Sequence, residues 1–251
     1  MKQFWILVKK DFMELYRTKK ILILFCIFVA FALASPILAK VTPDILKALG
    51  DSVQIIMPEP TIVDSYGQFV GNIAGTCIFA LIIVFGGLIV NERRRGIYNN
   101  LLNNGVKKRN FVMAKVKVQA EVFTVIYLVS CLLFSVYNYV LFNEFLIQYS
   151  LLSFLAIYVY MFFIISITNL YSVLFKSSIM SIMLAIGTTL LLAIFDLFRF
   201  GKYLPNYLVN ISVNIFRDGE VLNYIYYNIG ITFLLIIVIT LASIRFCKNK
   251  D

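Results

Sequence analysis

Histidine is absent from all 251 residues. That absence removes general-base imidazoles, histidine metal ligands and the Ser-His or Cys-His dyads of covalent catalysis, and it disfavours rhomboid-type and metal-dependent intramembrane proteolysis. No GxxxxGK[ST] phosphate loop occurs, so any nucleotide hydrolysis must come from another chain. Charge is scarce: only 14% of residues are Asp, Glu, Lys or Arg, against about 25% in a soluble domain. The four cysteines, Cys26, Cys77, Cys131 and Cys247, form no CxxC pair, and the first three sit in apolar runs. They read as small packing residues. The chain is therefore expected to be no enzyme, with no catalytic residue, metal site or cofactor of its own.

What fills the sequence is apolar: 61% is hydrophobic, with a mean hydropathy of +0.88. Spans need about 20 residues each, and the runs 21–39, 68–90, 118–140, 145–175, 179–195 and 228–244 meet that length. The expectation is an all-α integral membrane protein, a single domain of six transmembrane helices. The net charge of +10 raises the question of nucleic acid. However, Lys and Arg gather at the ends of apolar runs and form no basic face with interleaved aromatics, so nucleic acid is not an expected partner.

Residues 1–20 are too polar to span but are periodic. Phe4, Trp5, Val8, Phe12, Leu15 and Tyr16 share one side, with Lys10, Asp11, Glu14 and Arg17 opposite. This predicts an interfacial helix, with Trp5 and Phe12 in the bilayer and basic residues such as Arg17 facing the headgroups. The long basic start, the spanning length of the next run and the lack of a clear cleavage site before Lys40 argue against a signal peptide. Span 1 is expected to end near Pro36. The net acidic stretch 40–66, holding Asp44, Asp51, Glu59 and Asp64 against Lys40 and Lys47, is expected to be an external loop broken by Pro43, Pro58 and Pro60.

Span 2 carries Gly71 and Gly75 in GxxxG spacing and the pair Gly86-Gly87, which allow close approach of another helix from this chain or from a second subunit. Lys117 and Glu121 are spaced for an i,i+4 pair. Glu121 is the nearest thing to an intramembrane acid, within reach of the interface. Span 4 exceeds what a bilayer needs, and Lys176-Ser177-Ser178 reads as a tight inner turn. The mixed stretch 196–227, with Arg199, Lys202, Pro205, Arg217, Asp218 and Glu220, reads as short helices dipping into the outer half of the membrane.

Segment 91–117 is the most basic part of the chain. The positive-inside bias places it and both termini in the cytoplasm, and the four inner segments then hold eighteen of the twenty-three Lys and Arg. Within it, Arg93 to Arg95 lie at the headgroups and Gly96 bends the chain. Ile97 to Asn103 form a short amphipathic helix with Ile97, Leu101 and Leu102 on one side, ended by Asn103-Asn104-Gly105, and Lys107, Lys108 and Arg109 return the chain to the membrane. A helix this short is not stable alone, so its apolar side needs a groove.

The order of these elements, with E-x-x-x-G at Glu92 to Gly96, the short helix and K-K-R before span 3, resembles the ABC-2-type permeases of ATP-binding-cassette transporters over essentially the whole chain. Where that family usually has Thr or Ser after the glycine, this sequence has Ile97, Tyr98 and asparagines. The resemblance implies an N-terminal elbow helix and a coupling helix in 91–117 that seats in a cytoplasmic ABC ATPase subunit, with Glu92, Gly96, Ile97, Leu101, Lys107, Lys108 and Arg109 as coupling residues. It implies that ATP and Mg are bound by that partner, that a second permease copy or paralogue pairs in the bilayer, and that spans 1, 2 and 5 line the path. The apolar spans favour an amphipathic or hydrophobic cargo such as a peptide toxin, bacteriocin or drug, exported across a bacterial plasma membrane. An ATP-independent channel or secondary transporter is the alternative, though no clear internal repeat supports it. A non-transporting immunity subunit is another.

Overall fold

Long runs of Leu, Ile, Phe and Val leave a chain in lipid one economical way to satisfy its backbone, the α-helix. The computed structural model describes residues 2–49, 59–144, 147–196, 198–216 and 222–248, and the described residues are helical almost throughout. The elements are α1 (Lys2–Arg17), α2 (Lys20–Leu49), α3 (Ile62–Asn72), a π-helical turn (Ile73–Cys77), α4 (Ile78–Gly86), α5 (Leu88–Arg94), α6 (Ile97–Asn103), α7 (Lys108–Phe142), α8 (Ile147–Leu174), α9 (Ser178–Phe195), a 3₁₀ turn (Arg199–Tyr203), α10 (Tyr207–Asn214) and α11 (Leu222–Lys248). Among the described residues, six stretches are long and apolar enough to cross a membrane: Lys20–Pro43, Ile62–Arg94, Lys108–Phe142, Tyr149–Leu174, Ser178–Phe195 and Tyr224–Cys247. Asp51, Pro58, Phe145, Arg217, Asp218, Glu220 and Lys250 lie outside the described residues, as do the side chains of Asp44 and Lys47.

Spans 2 and 4 form the centre. Each buries 67% of its apolar window, against 17% for spans 5 and 6, which turn Leu, Ile and Phe outward. An aromatic cluster ties spans 2, 3 and 4 together: Phe69 stacks on Phe134 with centroids 4.2 Å apart, and Tyr66 meets Phe134 edge-on at 5.0 Å. Side-chain hydrogen bonds add direction where apolar packing alone has none. Asn169 donates to Gln119 at 2.5 Å, Thr124 and Tyr158 share a bond of 2.8 Å, and Tyr127 donates to the Phe154 carbonyl at 2.8 Å. On α10, buried Leu208 and Ile211 face the core, and the Ser212 carbonyl accepts a bond from Ser153 at 2.7 Å.

Several boundaries differ from the sequence-based expectation. The first apolar helix does not stop near Pro36 but runs through Pro36 and Pro43 to Leu49. Just before each proline a hydroxyl bonds back one turn, Ser35 to the Phe31 carbonyl at 2.6 Å and Thr42 to the Leu38 carbonyl, the kind of local adjustment that lets membrane helices keep prolines. Span 2 begins at Ile62 rather than Gln68, because Thr61 caps it, its N–H donating to the Asp64 carboxylate at 3.0 Å. The last helix extends beyond 228–244 at both ends, to Leu222–Lys248.

The two glycine pairs behave differently. A Cβ on Gly86 would lie 2.8 Å from Ile182 of α9, and one on Gly87 would lie 3.2 Å from the Ser178 hydroxyl, so this pair lets span 5 cross span 2. Gly71 and Gly75 have nothing within 4 Å and lie exposed. We therefore expect Gly86→Val to cost about 1–3 kcal/mol by overpacking, seen as a lowered melting temperature of the detergent-purified protein. Gly71→Ala and Gly75→Ala should leave the melting temperature of the monomer unchanged.

Candidate functional site

The four basic segments, far apart in sequence, are gathered at one end of the bundle. Lys10 of α1 pairs with Glu92 at the end of span 2. Ser178, at the start of α9, donates to Asn91 at 2.7 Å, and Arg93 donates to the Val173 carbonyl in the last turn of α8 at 2.6 Å. That last contact satisfies one of the carbonyls a helix C-terminus leaves without a partner. Cys247, near the end of α11, lies 3.5 Å from both the Arg93 guanidinium and the Tyr98 hydroxyl.

At this end the chain makes the short helix the sequence predicts, between the same residues. Gly96 takes the left-handed conformation, φ 72°, that only glycine adopts freely, and Gly105, φ 78°, closes the far side. The groove that α6 needs comes from its own chain. Tyr98 is 5% exposed and meets Phe111 edge-on at 5.0 Å, with the Arg93 guanidinium 5.2 Å from its ring centre. Leu101 and Leu102 pack on the same small core, built from Ile89, Val112, Val173, Ile244 and Cys247. The inward side is thus Tyr98, Leu101 and Leu102, spaced i, i+3, i+4, and Ile97 sits half-buried at its margin. Burial, then the contact with Cys247, pushes the Tyr98 hydroxyl up to about 12. Outward, α6 and its flanks expose Arg94, Arg95, Asn99, Asn100, Lys107 and Arg109, with Lys108 half-buried among them.

Beneath α6 lies a buried ionic network. Lys115 of α7, 2% exposed at its side chain, places Nζ 3.1 Å from Asp11 and 3.0 Å from Glu92. Lys10 pairs with the same two carboxylates, at 3.1 Å from Asp11. Glu14, half-buried, meets Glu92 as well. Desolvation and then the approach of Glu92 raise the Glu14 pKa above the ordinary carboxyl value. Lys10 and Lys115 thus stand against Asp11 and Glu92, with the half-buried Glu14 beside them. On Lys10, burial opposes the charge, but Asp11 and Glu92 outweigh it and hold its pKa above the ordinary value. Carboxylate oxygens of Asp11, Glu14 and Glu92 lie within 4.8 Å of one another, a spacing that could suit a metal ion. The ammonium groups of Lys10 and Lys115 already fill that role.

Of the residues singled out from sequence, Glu92 is the one the structure moves furthest from a surface role: at 1% exposure it works inside the network. Trp5, Phe12 and Arg17 are exposed on α1, and Lys117 lies 5.1 Å above the Trp5 ring while pairing with Glu121, as the spacing predicts. The polar side of α1 does not simply face outward. Asp11 shares the buried side with Leu7, Val8 and Leu15, so this face turns into the protein. Sequence reasoning missed the roles of Lys10, Asp11, Glu14, Tyr98 and Lys115. The signal was there for two of them, since Asp11 and Lys115 interrupt apolar stripes at helical spacing (7, 8, 11, 15 and 111, 115, 118, 122). No protein-family model and no curated protein matches the chain. The class the fold defines, among the described residues, is an all-helical protein with six helices long and apolar enough to span a membrane.

Removing one member of a buried ion pair strands the others, at a cost of about 3–5 kcal/mol. Glu92→Gln and Lys115→Met should each lower the melting temperature clearly and expose α1 to protease. Because folded Glu14 binds its proton more tightly than unfolded Glu14, its stabilising contribution is complete below the usual carboxyl range and is lost as pH rises through the raised value. Glu14→Gln should flatten the melting temperature against pH between acid and neutral conditions, where the parent declines.

Proposed function

We propose that this chain is the permease subunit of an ATP-binding-cassette exporter of the ABC-2 type, with the basic end in the cytoplasm. A second copy or a related permease pairs with it in the bilayer, and a separate cytoplasmic ATPase subunit, binding ATP and Mg, docks on α6. The observation that carries this reading is the clasp on α6: a short helix presenting a basic, asparagine-rich rim while its inner side touches the ends of spans 2, 3, 4 and 6. A helix already folded costs a docking partner little ordering free energy, and the exposed cations call for an acidic groove. The ionic network joins the same end of span 2 to α1 and α7, so a push on α6 reaches four spans and the N-terminal helix together. Such coupling moves packed helices as units. Glu92 and Gly96 position α6. Leu101 anchors it, Ile97 flanks it, and Lys107, Lys108 and Arg109 belong to its rim.

Span 2 supports a transport path. It contacts span 1 along α3 and span 5 along α4, and it leaves Gln68, Gly71, Gly75 and Thr76 exposed around the π-helical turn. Spans 5 and 6, by contrast, expose chiefly Leu, Ile, Met and Phe. A narrow polar strip on an otherwise apolar surface suits an amphipathic cargo or the paired face of a second permease.

The test is a search of the neighbouring reading frames for an ABC ATPase and co-expression of that ATPase with this chain. The ATPase should co-purify with the parent chain. Combining Arg95→Glu, Lys107→Glu and Arg109→Glu should abolish capture without shifting the melting temperature. Leu101→Asp, which undermines the footing of α6, should abolish cargo-stimulated ATP hydrolysis while the protein still inserts. Full capture by the triple variant would overturn the docking assignment.

A further inference from the structure

Between α5, α6 and the turn joining α8 to α9 lies a cavity of about 310 Å³. Its lining divides by chemistry. Val90 and Phe175, at the ends of spans 2 and 4, are apolar, Arg93, Arg94 and Lys176 are cations, and Asn99 adds an amide donor. No carboxylate of the described residues lines it. Arg93 is committed, donating to the Val173 carbonyl and lying over Tyr98. Arg94 and Lys176 are exposed and have no carboxylate partner among the described residues, in contrast to the neighbouring network, where each lysine meets two. Two like charges facing one cavity repel unless an anion lies between them.

We propose that this cavity binds the headgroup of an anionic phospholipid. Arg94 and Lys176 hold the phosphate, Asn99 donates to it, and Val90 and Phe175 contact the glycerol and the root of the acyl chain. The position selects a lipid over other anions: spans 2 and 4 end here, at the level where a bilayer presents its phosphates, and apolar walls beside cations match a molecule that is charged at one end and greasy at the other. A bound lipid bridges α5 and α6 to the α8–α9 turn, stiffening the seat of α6. The inference needs the chain to span a membrane but does not need an ATPase partner, so the two readings can fail separately.

The experiment titrates the full-length protein in detergent with short-chain phosphatidylglycerol, short-chain phosphatidylcholine, inorganic phosphate and an oligoglutamate peptide, following thermal stability and counting bound lipid by native mass spectrometry. Phosphatidylglycerol should raise the melting temperature saturably, with one lipid retained per chain, and phosphatidylcholine should not. Arg94→Gln with Lys176→Gln should weaken the response roughly twenty-five-fold, about fivefold per cation, and Lys176→Gln alone should give the smaller step with an unchanged lipid-free melting temperature. Equal responses to the two lipids, or a full phosphatidylglycerol response in the double variant, would overturn the proposal. A full shift from inorganic phosphate would make this a free-anion site instead, and tighter binding of oligoglutamate than of lipid would make it a protein-docking surface.

Discussion

A lysine wedged between two carboxylates holds this molecule's basic end together. Lys115, Asp11 and Glu92 are all buried, and their charges are tolerable there only because Lys115 stands about 3 Å from each carboxylate. A buried pair of this kind adds little stability over an apolar replacement, but it is unforgiving about geometry, since displacing one partner strands the other. It thereby sets where α1 lies, how span 2 ends and where span 3 begins. Glu14, its pKa raised by burial beside Glu92, makes the arrangement sensitive to pH.

On that base rests α6, a seven-residue helix that would be unstable in isolation. Its stability is borrowed from four other helices through Tyr98, Leu101 and Leu102. For the proposed transport role the consequence is mechanical: a rigid knob whose outer rim is hydrophilic and whose inner side is continuous with the core is suited to receive a push. Were α6 apolar outside and loosely tethered, force applied to it would be dissipated in its own folding.

The centre of the bundle is organised on a different principle. Spans 2 and 4 are packed on most sides, and Gly86 and Gly87 admit span 5 at close range. The π-helical turn and the exposed Gln68, Gly71, Gly75 and Thr76 concentrate the irregular and polar features of span 2 on its uncovered surface. π-turns of this kind recur at functional positions in other proteins.

The sequence alone determined the number of apolar helices, the break at Gly96, the bounds of the short helix at Ile97 to Asn103 and the Lys117–Glu121 pair. These follow from local rules, namely run length, glycine's access to positive φ and i,i+4 spacing. Helix ends escaped it where a local signal was overridden, as when hydroxyl groups beside Pro36 and Pro43 let α2 continue. The network of Lys10, Asp11, Glu14, Glu92 and Lys115 joins residues more than eighty positions apart, and the cover over Tyr98 comes from α5, α7, α8 and α11. Only the packed tertiary structure could decide these, because burying a charge or a tyrosine depends on what the rest of the chain brings to that spot.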